Sequence, residues 1–151
     1  MKIPADVLGL LCIASIGFAQ TATEPKAKMT ESTVFDWNDL KSETRPSGER
    51  RAVFDNPTAS LANLECHVTT LKVGETSGAA HPHNTNGLVE ELTIVKEGTV
   101  EVWMNNRHQT IGPGSVFYFA PKDSVAIKNV GATPATYVVI SIRAQPAPAK
   151  N

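Results

Sequence analysis

From Ala62 onward the chain is cut at short, even intervals by turn-forming residues, and this constrains its fold more than any other feature. Gly74, Gly87, Gly98, Asn106, Gly114, Asp123 and Gly131 fall 8 to 13 residues apart. Between them apolar residues alternate with polar ones, as in Leu64, Cys66, Val68 against Glu65, His67, Thr69. No window of helical length carries a 3.6-residue period. Runs at Leu92–Val95, Thr99–Met104, Val116–Phe119 and Thr136–Ile142 have the length and composition of strands. Several short strands at this spacing predict an all-β sandwich or barrel.

The ends read differently. Residues 7–18, VLGLLCIASIGF, form an uncharged apolar run behind Lys2 that closes on small residues at Gly17 and Ala19. This is the pattern of a secretory signal peptide over 1–19, and the run is too short for a membrane span, which takes about 20 apolar residues. Its removal leaves 151 − 19 = 132 residues and takes Lys2 and Asp6 together, so the net charge stays at -1. Cys12 leaves with it, and Cys66 remains without an intramolecular partner. Residues 20–33 are almost free of large apolar side chains and predict a flexible arm. The domain is expected over 34–143, with Val34–Leu40 as a short helical turn or an edge strand laid on its body, and a flexible Ala/Pro tail over 144–151. With 14 Lys+Arg against 15 Asp+Glu, nothing in the charge favours a polyanion, so a nucleic-acid partner is not expected.

Chemistry concentrates between His67 and His108. His81 and His83 stand at i and i+2, on one face of an extended segment, where both imidazoles can reach one metal ion. Glu91 follows at the start of an apolar strand, with Glu90 at the opposite parity facing outward. His67 shares the polar face of its strand with Glu65 and Thr69 and is expected to meet solvent, with Leu64, Cys66 and Val68 inside. His108, beside Asn105-Asn106, is expected at an exposed hairpin. Val100, Val102 and Met104 point to the interior, leaving Trp103 on a covered outer face or a subunit contact. Arg50-Arg51 reads as a solvated surface pair, with binding of a carboxylate at the barrel mouth as the alternative.

The order of these residues resembles the two motifs of the cupin superfamily, in particular its small single-domain bacterial members. Gly74, His81, His83, Glu91 and Gly98 match the first motif, and Gly112-Pro113-Gly114, Pro121 and Asn129 the second. The resemblance covers about Ala62 to Ile142. Two positions depart from it: seven residues separate His83 from Glu91 where the family has three or four, and Val125 stands where a fourth metal-ligating histidine is usual.

The resemblance implies a double-stranded β-helix, or jelly-roll barrel, with a small-molecule pocket inside it. His81, His83 and Glu91 would be the metal ligands, and two imidazoles with one carboxylate suffice for a site with open positions. Fe, Mn, Ni or Zn is the implied metal, and no organic cofactor. An enzyme of this kind would be a metal-dependent oxygenase, isomerase, lyase or decarboxylase acting on a small organic acid or sugar. Without metal it would be a binding module or a structural subunit. His67 and His108 are the candidates to replace the absent ligand. Cupins often pair, so a homodimer is a further implication, and the leader implies export to the periplasm or beyond the cell.

Overall fold

The protein was analysed as a computed structural model, which describes residues 29–78, 81–82 and 89–146. The leader, the arm up to residue 28, His83 and tail residues 147–151 lie outside the described residues. The described chain forms two antiparallel sheets whose inner faces share one core. The larger contains β1 (Ser42–Arg45), β2 (Gly48–Asn56), β3 (Leu61–Leu71), β10 (Ala135–Ala144), β5 (Val89–Glu97) and β8 (Val116–Phe119), in that order. The smaller contains β4 (His81–Pro82), β9 (Ser124–Asn129), β6 (Val100–Met104) and β7 (Arg107–Ile111). This is a jelly roll. Leu71, Val95, Phe117, Phe119, Tyr137 and Val139 of one sheet meet Val100, Val102, Val125 and Ile127 of the other.

The four strand runs legible in the sequence appear as β5, β6, β8 and β10. The β1–β2 hairpin carries no such apolar run, because its strands are largely polar and β1 is exposed throughout. Gly48 belongs there for a steric reason: φ is +154° and a Cβ would sit 1.9 Å from the Thr70 carbonyl oxygen. The segment at 34–40 is a helical turn over Trp37–Asp39, capped by Asp36. It lies on the outer face of the larger sheet, with Phe35 against Phe54 and the Trp37 ring between the Arg51 and Lys96 cations.

Asn129 ties the two sheets together at one end. It is fully buried, and its amide nitrogen donates to the main-chain oxygens of Leu71 at 3.1 Å, Lys72 at 3.1 Å and Thr133 at 2.9 Å. Its Oδ1 accepts the Gly131 N–H at 2.9 Å. A buried amide so fully partnered is structural.

Register sorts the faces of the larger sheet. Glu65, Ser141, Glu91 and Phe119 are successive cross-strand partners, and His67, Val139, Thr93 and Phe117 form the next inward row. The intervening row of Cys66, Ile140, Leu92 and Tyr118 therefore faces outward. This corrects the expectation for β3: Glu65, His67 and Thr69 belong to the inner face, and Leu64, Cys66 and Val68 to the outer. The physical reason is that the outer face is itself part-covered by the 34–40 segment, while the inner polar groups find partners within the barrel.

Candidate functional site

A cavity of about 180 Å³ opens between the sheets. Its wall includes His67 and Thr69 of β3, Glu91 and Thr93 of β5, Tyr137 and Val139 of β10, Phe119 of β8, and Val125 and Ile127 of β9. The floor is apolar and the polar groups come almost entirely from the larger sheet.

Glu91 is 9% exposed, and its Oε1 accepts the hydroxyl of Ser141 at 2.6 Å. Ser141 is its cross-strand partner, so sheet register alone aims the carboxylate. One residue row away, His67 is held by a chain of charge. Its Nδ1 lies 2.7 Å from Glu65 Oε1, and the same oxygen takes the guanidinium of Arg50. The His67 hydrogen bond holds the Glu65 carboxyl below its ordinary range, with help from Arg50 and Ser141 and against the effect of burial. An ionised carboxylate only accepts, so Nδ1 is the donor in this pair and Nε2 is not engaged by Glu65.

Two further groups complete the polar wall. The Tyr137 phenol is driven well above its ordinary range by burial, which the nearby Glu91 charge reinforces and hydrogen bonds with Thr69 and Ser77 oppose. Thr93 is 0% exposed, and its Oγ1 has no hydrogen-bond partner among the described residues. A buried hydroxyl left unpaired costs about 1–3 kcal/mol, a cost that a bound molecule or water in the cavity would offset.

Of the three residues expected to bind metal, Glu91 is in the cavity wall. His81 lies in β4, where its backbone pairs with Val125, another wall residue. His83 falls outside the described residues. Among the described residues, no group of three His, Cys, Asp or Glu side chains is arranged to hold a metal. His108 is exposed on β7, its ring 4.7 Å from that of Trp103, so it does not replace the missing ligand. Trp103 is 40% exposed on the outer face and donates its indole N–H to Glu101 at 3.0 Å. Glu90 is exposed, as its parity requires.

The arginine pair is neither solvated nor open at the mouth. Arg50 engages Glu65, whereas Arg51 bonds Glu49 at 2.6 Å and the Leu40 carbonyl at 3.1 Å. Sequence reasoning gave no role to Ser141 or Thr93. Their only trace is a polar residue at an inward position of an otherwise apolar strand.

Residues 67–141 match the profile of the Cupin domain family. A solved RmlC-like cupin from Shewanella frigidimarina superposes with a TM-score of 0.60 at 17% identity, covering 78% of this chain and 96% of that one. A predicted oxalate decarboxylase from Thermotoga maritima gives 0.60 at 17% identity, covering 74% and 99%. A sugar phosphate isomerase of the cupin superfamily from Silicibacter pomeroyi gives 0.56 at 16% identity, covering 74% and 76%. At such identities the likeness is one of fold. No curated protein matches the chain.

Proposed function

Because the chain belongs to the cupin superfamily, we propose that its barrel binds a small organic molecule beside a divalent metal ion held by His81, His83 and Glu91. The observation that carries this reading is Glu91, a carboxylate almost wholly buried in a cavity wall and oriented by Ser141. A carboxylate turned into a cavity is a hard oxygen donor that a divalent cation can use. The donor set fits: two imidazoles and a carboxylate suit Fe, Mn, Ni or Zn. A bound ion would supply Lewis acidity at its open positions. The chain's own groups would do the rest, with Thr93 Oγ1 and His67 presenting a donor and an acceptor to the ligand. A metal-dependent reaction on a small organic acid or sugar accords with the size of the cavity and with the activities named for two structural neighbours, the predicted oxalate decarboxylase and the sugar phosphate isomerase.

Val125 favours a second reading, a metal-free binding module, because it puts an apolar side chain in the cavity wall beside the β4 backbone. Metal analysis of protein purified without chelators separates the two. About one equivalent of metal per chain, lost in both His81→Ala and Glu91→Ala, is the expected result under the three-ligand site; no uptake after incubation with Fe(II), Mn(II), Ni(II) and Zn(II) favours the module. We further propose export, on the strength of the 1–19 leader, and a homodimer formed through the larger sheet, where Val116 and Tyr118 are 57% and 48% exposed. Light scattering of the purified chain tests the latter.

A further inference from the structure

The cavity ends in a cationic mouth for which the three-ligand set has no use. Past its polar wall it reaches the β1–β2 hairpin, where Arg45, Ser47 and Glu49 border it. In a flat sheet Arg45 on β1 would stand four strand spacings of about 4.8 Å from Thr93 on β5. The curl of the larger sheet brings both to one cavity. The hairpin turn is fixed against β3. Lys72 donates its main-chain N–H to the Ser47 carbonyl at 3.0 Å and its Nζ to the Pro46 carbonyl at 2.9 Å.

The two ends of this cavity suit different parts of one molecule. Inside, the buried Thr93 hydroxyl has no hydrogen-bond partner among the described residues, and a hydroxyl group of a ligand would satisfy it. At the mouth, Arg45 is the one permanent cation among the described residues around the cavity, and the charge of Glu49 beside it is taken by Arg51 at 2.6 Å. Glu43 accepts from Arg45 Nε at 3.1 Å and from Nη2 at 3.0 Å. A guanidinium carries five N–H donors, so the Nη1–Nη2 edge stays unengaged among the described residues. Such an edge has the spacing of the two oxygens of a second carboxylate. The pair with Glu43 is exposed, so it orients the fork at little cost to the affinity of its open edge.

We propose that the ligand is a small polyhydroxylated carboxylate, with its acid group on the open edge of Arg45 and a hydroxyl on Thr93. This rests on the small-molecule part of the proposed function and deepens it: of organic acid and sugar, it selects a molecule that is both. A cavity of about 180 Å³ holds about six water volumes of about 30 Å³. A hydroxylated carbon takes about as much room as a water, which sets the length of the chain.

Three matched probes separate the two ends: gluconate carries hydroxyls and an acid, sorbitol the hydroxyls alone, hexanoate the acid alone. Their binding to the purified chain is followed by calorimetry in the wild type, Arg45→Gln, Arg45→Lys and Thr93→Val, with thermal unfolding reporting that each folds. Gluconate is expected to bind the wild type most tightly. Arg45→Gln should weaken gluconate about 10–100-fold, the range for hydrogen bonds to a charged group, and leave sorbitol unchanged. Arg45→Lys keeps the charge without the fork and should fall between. Thr93→Val should weaken gluconate and sorbitol about fivefold, leave hexanoate unchanged and not lower the melting temperature of the empty barrel. A merely structural role for either residue would not sort the probes in this way. Equal affinity of the wild type for gluconate and sorbitol, or gluconate binding untouched by Arg45→Gln or by Thr93→Val, overturns the inference and leaves a small-molecule pocket standing. Absence of gluconate binding in the wild type also overturns it, and metal analysis of the purified protein then decides the three-ligand reading by itself.

Discussion

Tyr137 shows how far one residue's surroundings can redirect its chemistry. Its phenol is 2% exposed, and burial beside Glu91 favours the neutral form. The unfolded chain begins to lose this proton near pH 10 while the native chain retains it, so the unfolded state binds fewer protons and stability falls as pH rises. Below that range the group contributes no pH dependence. The expected slope approaches about 1.4 kcal/mol per pH unit for this one site, and it should vanish in Tyr137→Phe. Urea unfolding midpoints of the two proteins at pH 8 to 11 check it; parallel profiles would show that the phenol ionises as freely in the barrel as in water. Thr93, by contrast, has no group among the described residues to share its hydroxyl with, and that unmet hydrogen bond is the plainest residue-level sign that something polar belongs in the cavity.

At the scale of elements, β3 shows what a period of two conveys and what it omits. The alternation of Leu64, Cys66 and Val68 with Glu65, His67 and Thr69 correctly groups the residues into two faces. Which face is inner depends on what covers the other, and that is settled by elements remote in sequence. The 34–40 segment covers part of the outer face through Phe35 on Phe54 and Trp37 between Arg51 and Lys96, at 4.8 and 4.6 Å. Each such exposed cation–π contact contributes about 0.5–1 kcal/mol. Trp37→Ala should therefore destabilise the barrel by about 1–2 kcal/mol in urea denaturation. A loss of a few tenths would show the segment to be loosely held.

β5 fared better in the sequence because both of its signals agree. Glu91 precedes an apolar alternation that places it inward, and the following Gly98 is demanded by φ +80° and by Ala135, whose Cα would lie 2.6 Å from a Cβ there. The second sheet was half legible: Val100 and Val102 are 0% and 1% exposed, as alternation implies, but β7 is so polar that nothing in it announces a strand. Its pairing with β6 supplies the order that its composition lacks.

For the whole molecule, the site and the fold are coupled, since its wall is drawn from β3, β5, β8 and β10 of the larger sheet and β9 of the smaller and converges only when the two sheets pack together. A metal that binds the native barrel and not the unfolded chain should stabilise it by about 2.7 kcal/mol at a hundredfold excess over its dissociation constant. Zinc is expected to raise the melting temperature of the wild type, reversibly with chelator, and to leave that of Glu91→Ala unchanged. An equal shift in both would locate the zinc elsewhere. No helix among the described residues is long and apolar enough to cross a membrane.

The amino-acid order by itself determined the class of fold, most strand positions, the inward parity of Glu91 and the resemblance to the cupin motifs, because alternation, turn residues and motif spacing are local properties of a chain. Tertiary structure alone decided that β3 turns its polar face inward, that Arg50, Glu65 and His67 form one chain of charge, and that Ser141 aims Glu91. Those relations depend on the register of β10 between β3 and β5 and on what covers the outside of the sheet, and neither is written within any one strand.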